Sequence, residues 1–289
     1  MSREGGWHRS VVGMVRRTVE AAVEDNVPFL ASALAFDFIL TAIPFLILVL
    51  ASVGYLVQHE LATQNVNVHD VLSRFLPGGA ASLEQLERTV LDVVSRREQL
   101  TLVGAPLFVW FSTRLFGGLR VALNEVFDVH EPRPIITAKL RDLGMVLVMG
   151  SLFTANTVLS AGVTFLAARS TAAPGWVWGL SLELLAFVFS AVLFFMVYKL
   201  IPGRPIYWRT AVVAAVFGAL GFEIAKQLYA LYLTEFATFD RLVSDANIVA
   251  LFLFLLWIYV SAFIFLLGGE VAETYDMLRL RRTQRVGLG

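Results

Sequence analysis

FLASALAFDFILTAIPFLILVLASVGYLV, running from Phe29 to Val57, decides the fold. A helix needs about 20 mainly apolar residues to cross a hydrocarbon core ~30 Å thick. This run exceeds that length and holds one ionisable residue, Asp37. Five runs of the same kind follow, at Leu100 to Leu123, Leu143 to Ala168, Trp176 to Ile201, Thr210 to Leu233 and Ala246 to Ala272. Composition agrees: 57% of the 289 residues are hydrophobic and 16% are charged, against roughly 25% charged in an ordinary soluble domain. A soluble core has no room for so many apolar side chains, because its surface must still be covered by polar groups. The expected fold class is all-α, an integral membrane bundle of six transmembrane helices.

The first span is not expected to be a cleaved signal peptide. About 28 residues precede it, among them Glu4, Glu20, Glu24 and Asp25, and its apolar run is longer than a signal sequence uses. Within residues 1–28, Val12, Val15, Val19 and Ala22 recur at helical spacing while Arg16, Arg17 and Glu20 take the other side, which predicts an interfacial amphipathic helix. Asn26 and Pro28 should end it, with Pro28 seated in the first turn of span one.

Residues 29–272 form the membrane domain in this reading. Its longest connection, 58–99, carries too many charges to lie in the bilayer. Pro77-Gly78-Gly79 marks a turn there, and Ser82 with Gln85 forms a capping-box pattern ahead of Leu83, Leu86, Val90, Val93 and Val94. That predicts a small extracytoplasmic helical cap between spans one and two. Residues 273–289 form a basic tail.

Charge balance is exact, 23 basic against 23 acidic residues, so no bulk field recruits nucleic acid and none is expected as a partner. Placement of charge sets orientation instead. One side of the membrane receives Arg3, Arg9, Arg16, Arg17, then Arg133, Lys139, Arg141, then Lys199, Arg204, Arg209, and finally Arg279, Arg281, Arg282 and Arg285; the opposite short loops hold Arg169 and Arg241. The positive-inside rule then puts both termini in the cytoplasm. With no cysteine and four scattered histidines (His8, His59, His69, His130), no metal centre or cofactor is expected.

Ionisable groups inside spans are costly unless paired or wetted, and each is a functional candidate. Asp37 and Arg114 fall at nearly equal depth on spans one and two, and Glu223 and Lys226 share a face of span five with Glu183 of span four near the depth of Lys226. These five form a candidate substrate or ion pathway; the plainer reading is structural ion pairs, with Glu183 snorkelling to the interface. Arg120, Asn124, Arg133, Arg204 and Glu270 gather near the cytoplasmic ends as a candidate gate or headgroup contact, or as a polar network that caps helix ends. Pro44, Gly117 and Gly118 are candidate hinges, or sites of close helix packing.

Ala33-Leu34-Ala35-Phe36 leading to Ala42-Ile43-Pro44, Leu123-Asn124-Glu125-Val126-Phe127 followed by Glu131-Pro132-Arg133-Pro134, Trp208-Arg209 with Gly218-Ala219, and Trp257-Ile258-Tyr259 with Leu267-Gly268-Gly269-Glu270 together resemble the YihY/BrkB family of bacterial inner-membrane proteins. The resemblance covers nearly the whole chain. It implies a six-helix, multi-pass protein of the bacterial inner membrane, whose members are discussed as transporters or in envelope lipid handling. Such proteins were formerly labelled ribonuclease BN, a label the residues do not support: neither a cluster of nuclease ligands nor a basic nucleic-acid track stands out.

No serine-hydrolase, zinc-protease or nucleotide-binding motif is present, so catalysis is not expected. The leading expectation is a transporter-like protein that moves or presents an amphiphilic, lipid-like envelope molecule through a polar cavity, with membrane lipids as partners. Its rival is a non-transporting scaffold in which the buried charges are structural and an oligomer or envelope-protein partner completes the function.

Overall fold

The computed structural model describes residues 4–64, 80–129, 135–169, 175–203, 206–236 and 246–287. Every element among them is a helix: α1 (Glu4–Glu24), α2 (Val27–Gln64), α3 (Ala80–Val126), α4 (Ile135–Arg169), α5 (Gly175–Leu200), α6 (Trp208–Phe236) and α7 (Ala246–Gly287). Helices α2 to α7 each contain a stretch long and apolar enough to cross a membrane, six in all. Their outward faces carry exposed Phe153, Val158, Leu159, Phe165, Leu184 and Phe252, side chains that water would penalise and acyl chains accept. The all-α membrane bundle expected from the sequence is the fold observed.

The break between α1 and α2 falls where Asn26 and Pro28 predict it. Asn26 takes a left-handed backbone (φ 52°), which asparagine tolerates better than most residues, and its carbonyl accepts hydrogen bonds from the N–H groups of Phe29 and Leu30. Thr18 and Ala22 of α1 are buried, and α1 packs on α7 with the Thr18 hydroxyl 3.5 Å from that of Thr274. Val15, Val19 and Val23 form an exposed apolar stripe at i, i+4, i+8 spacing.

The described parts of the connection between spans one and two are helical and continuous with the spans. Helix α2 continues to Gln64, and α3 starts at Ala80 and passes through Leu100 without a break to Val126. Leu83 to Gln99 holds neither Gly nor Pro and is rich in Leu, Glu, Arg and Gln, so nothing in it stops a helix. The Pro77–Gly79 turn and the side chains of Ser82 and Gln85 lie outside the described residues. At ~1.5 Å per residue, α2 and α3 measure about 57 and 70 Å, well beyond the ~30 Å hydrocarbon thickness. The last helix is similarly long: α7 carries on past Ala272 through the basic tail to Gly287.

The chain forms two compact units, residues 37–114 and residues 1–36 with 115–289. The first is a helical hairpin in steady antiparallel register. Thr41 donates to the Phe111 carbonyl at 3.1 Å, the Phe45 and Phe108 rings lie 5.8 Å apart, and Gly104 sits so close to Ile47 that a Cβ there would come within 3.0 Å of it. Nearer the hairpin's far end, the Arg97 guanidinium covers the Tyr55 ring at 5.4 Å.

In the second unit α6 offers a run of small buried residues, Ala211, Ala214, Ala215 and Ala219, letting α5 and α7 pack closely on either side as membrane helices do at small-residue seams. Tyr198 of α5, fully buried, donates its hydroxyl to the Phe265 carbonyl of α7 and stacks on the Phe265 ring at 4.7 Å. The tightness explains two glycines. A Cβ at Gly268 would lie 2.7 Å from the Tyr198 hydroxyl, and one at Gly269 would lie 2.7 Å from Val126 Cγ1.

Candidate functional site

Asp37 and Arg114 meet as their depths require. Arg114 Nε donates to Asp37 Oδ1 at 2.7 Å, with the Asp37 side chain only 13% exposed and that of Arg114 57% exposed. Asp37 lies ten residues into α2, about 15 Å along its axis, deep enough that its carboxylate would be costly without its partner. The arginine's open side presents a cation where the sequence places bilayer.

Of the residues expected near the helix ends, Arg120 and Asn124 have clear roles. Arg120 Nη2 donates to Asp142 Oδ2 at 2.8 Å, and both side chains are largely buried. Asp142 was not among the sequence candidates; its place at the very start of a span, beside Arg141, is the signal that could have found it. Asn124 Oδ1 accepts the backbone N–H of Gly203 at 2.7 Å, tying the end of α3 to the turn after α5. Arg133 and Arg204 lie outside the described residues. Helix α2 runs through Pro44, and α3 through Gly117 and Gly118, without interruption. At Gly117 a Cβ would meet only Arg120 Nη2, at an ordinary 3.7 Å, so close packing does not account for that glycine.

Glu223 and Lys226 pair on α6 at 2.6 Å. The triad with Glu183 does not form: Glu183 is exposed on α5, and no ion pair joins it to Lys226 among the described residues. Lys226 Nζ lies 5.8 Å from the Phe222 ring centre, and that ring packs against Trp257 of α7 at 5.4 Å. Here α6 and α7 frame an apolar groove of about 320 Å³, lined by Gly221, Ala225, Leu228, Tyr229, Trp257 and Val260 among others. Neither Glu223 nor Lys226 lines this groove, whose α6 residues Gly221, Ala225 and Leu228 lie on another face of the helix.

Glu270 belongs to a different constellation from the arginines it was grouped with. One of its carboxylate oxygens lies within 4.8 Å of one from Asp25, at the α1/α2 junction, and of one from Glu273, one turn along α7. Asp25 and Glu273 line a cavity of about 250 Å³ with Glu24, Glu125, Asp128 and Asn124. Burial pushes the Asp25 carboxyl above the ordinary aspartate range; hydrogen bonding with Glu270 works against this, and the negative charges of Glu125, Glu24 and Asp128 add to it. The four histidines are scattered, and no ligand spacing along the chain joins Asp25 to the carboxylates of α7. The pattern that marks them is Glu270 and Glu273 at i and i+3 on one helix face.

Comparison with known proteins gives this geometry a family. The profile described as virulence factor BrkB matches residues 18–285. The chain is 28% identical over 276 residues to the UPF0761 membrane protein RSc1559 of Ralstonia nicotianae, covering 93% of this chain and 60% of that protein. Against the UPF0761 membrane protein PSHAa0171 of Pseudoalteromonas translucida it is 24% identical, covering 98% of this chain and 93% of the other. The putative ribonuclease-like protein YfkH of Bacillus subtilis is 27% identical, covering 83% of this chain and 87% of that one. The chain thus spans about 60% of the Ralstonia relative, and 57% of a Chlorobium phaeobacteroides one. No solved structure matches it. Because the matched region contains all six spans, the Asp37–Arg114 pair and the acidic cavity, the chain belongs to the family described as virulence factor BrkB.

Proposed function

We propose that the protein handles an amphiphilic, lipid-like molecule of the bacterial envelope, as a transporter-like, non-enzymatic protein of the inner membrane. The observation that carries this reading is the α6/α7 groove. An apolar recess of about 320 Å³ between two membrane-spanning helices offers an acyl chain a dry wall. Membrane lipids are the proposed partners, and no nucleic acid is. The ribonuclease-like label stays with the Bacillus relative that bears it.

Native mass spectrometry of the purified protein tests the reading through its co-purified lipids. Gly221→Leu puts a branched side chain into the groove wall, and the variant is expected to lose the bound lipid that the parent retains. Equal lipid occupancy in both proteins would defeat the groove as a lipid site.

A scaffold without transport is the second reading, favoured by the closed Arg120–Asp142 pair and by Asn124 serving as a loop tie. A parent protein that carries no lipid at all would favour it over transport.

Both termini are proposed to be cytoplasmic, from the basic residues in the short loops and the even number of spans. Reporter fusions at Gly289 should be active for a cytoplasmic reporter and silent for a periplasmic one. The reverse pattern would invert the topology.

A further inference from the structure

We propose that Asp25, Glu270 and Glu273 form a binding site for a hard divalent cation, independent of the lipid-handling reading. Two observations converge on it. The first is Glu270 itself: it is 0% exposed, and among the described residues neither of its carboxylate oxygens has an N–H or O–H partner at hydrogen-bond distance. A buried carboxylate is normally satisfied by N–H or O–H groups or by a cation. Beside Glu270 stand two more carboxyls, one oxygen of each of the three lying within 4.8 Å of the others, an arrangement that a cation between them neutralises. Oxygens on opposite sides of one ion with ~2.3–2.6 Å bonds are about 4.6–5.2 Å apart, and adjacent ones are closer. The observed spacing fits a single ion.

The second observation is the backbone around the cavity. Helices α1 and α3 both end there, each followed by a residue in the left-handed region, Asn26 (φ 52°) and Asp128 (φ 50°). A helix C-terminus carries partial negative charge. Two such ends and the side chains of Glu24, Asp25, Glu125, Asp128 and Glu273 thus bound one cavity of about 250 Å³. That volume leaves room for the waters that Mg²⁺ and Ca²⁺ keep in their coordination shells. An all-oxygen donor set selects Mg²⁺, Ca²⁺ or Mn²⁺ over softer metals. Bound there, the ion links the α1/α2 junction to α7 and so holds the amphipathic helix against the bundle.

Mn²⁺ titrated into the metal-stripped full-length protein in nanodiscs, followed by electron paramagnetic resonance, reads the site directly. One saturable Mn²⁺ per chain is expected, displaced by Mg²⁺ or Ca²⁺ and weakened at least tenfold by Glu270→Gln and by Glu273→Gln. The chain has no cysteine, so a Thr18→Cys/Thr274→Cys pair across the α1–α7 contact reports whether each variant is folded, by disulfide formation. Absence of saturable Mn²⁺ in the parent would overturn the site and leave a shared proton as the counter-charge. Unchanged Mn²⁺ affinity in folded Glu270→Gln and Glu273→Gln proteins would overturn it equally. Neither result depends on whether lipid occupies the α6/α7 groove.

Discussion

Arg114→Leu lowers the stability of the protein by about 3 kcal/mol, and Asp37→Leu by less, because each leaves one charge alone at bilayer depth. Asp37 suffers more from the loss, being the more enclosed partner; an arginine left behind can bend its long side chain toward the headgroups. The double variant Asp37→Leu/Arg114→Leu recovers most of the loss, since two apolar side chains satisfy the same helix contact without desolvating a charge. Thermal unfolding in detergent and the amount of protein accumulated in the membrane provide the readouts. Complementation separates the two roles of the pair: recovery of accumulation without recovery of function assigns it to the working site, and recovery of both assigns it to the frame. If Arg114→Leu alone proves as stable as the parent, the 2.7 Å contact contributes nothing and the hairpin register must be reconsidered.

Gly268→Ala is expected to cost ~1–3 kcal/mol, the usual range for forcing an extra carbon into a well-packed core, because the new methyl meets the Tyr198 hydroxyl at 2.7 Å and the Ala214 carbonyl at 3.1 Å. Tyr198→Phe alone gives up one buried hydrogen bond to Phe265, a loss of about 1 kcal/mol, and leaves that carbonyl its helical partner. Combined, the two changes should cost less than their sum, since removing the hydroxyl removes the nearer clash. A double-mutant cycle on unfolding free energies measures the coupling. Strict additivity would mean that α7 shifts away from α5 and that the hydroxyl never limited their approach.

The six spans were legible because a bilayer asks for one property, a long apolar run, which single residues report without knowledge of their neighbours. The Asp37–Arg114 pair was legible for a related reason. Both residues lie inside spans, and helix rise converts sequence position into depth. Arg120 stood among residues open to a gate, a headgroup contact or a capping network because its partner, Asp142, stands at a span's first residue, where an acidic side chain passes for an ordinary interfacial one. Glu183 failed as a member of a triad because depth says nothing about the direction in which a side chain leaves its helix. The acidic cavity was hidden for a third reason. Asp25, Glu125 and Asp128 come from the ends of α1 and α3, and Glu270 and Glu273 from within α7, so only the tertiary fold brings carboxylates together that the chain keeps far apart. The continuity of residues 80–99 with span two was hidden by a similar limit, because a change from charged to apolar surface marks a membrane boundary whether or not the helix is interrupted there.

The 77-residue separation between Asp37 and Arg114 has a consequence in time. A ribosome adding ~5–20 residues per second needs about 4–15 s to make that length of chain. For that interval the first span exists with its aspartate while the arginine that neutralises it has not been synthesised. Insertion of span one therefore cannot draw on the ion pair, and the apolar run on either side of Asp37 must carry the segment into the bilayer by itself. The pair closes only when span two arrives, which makes it a marker of completed assembly: a nascent chain arrested before Arg114 presents a membrane-buried acid with no counter-charge, the kind of defect by which quality-control proteases can distinguish an unfinished protein from a finished one.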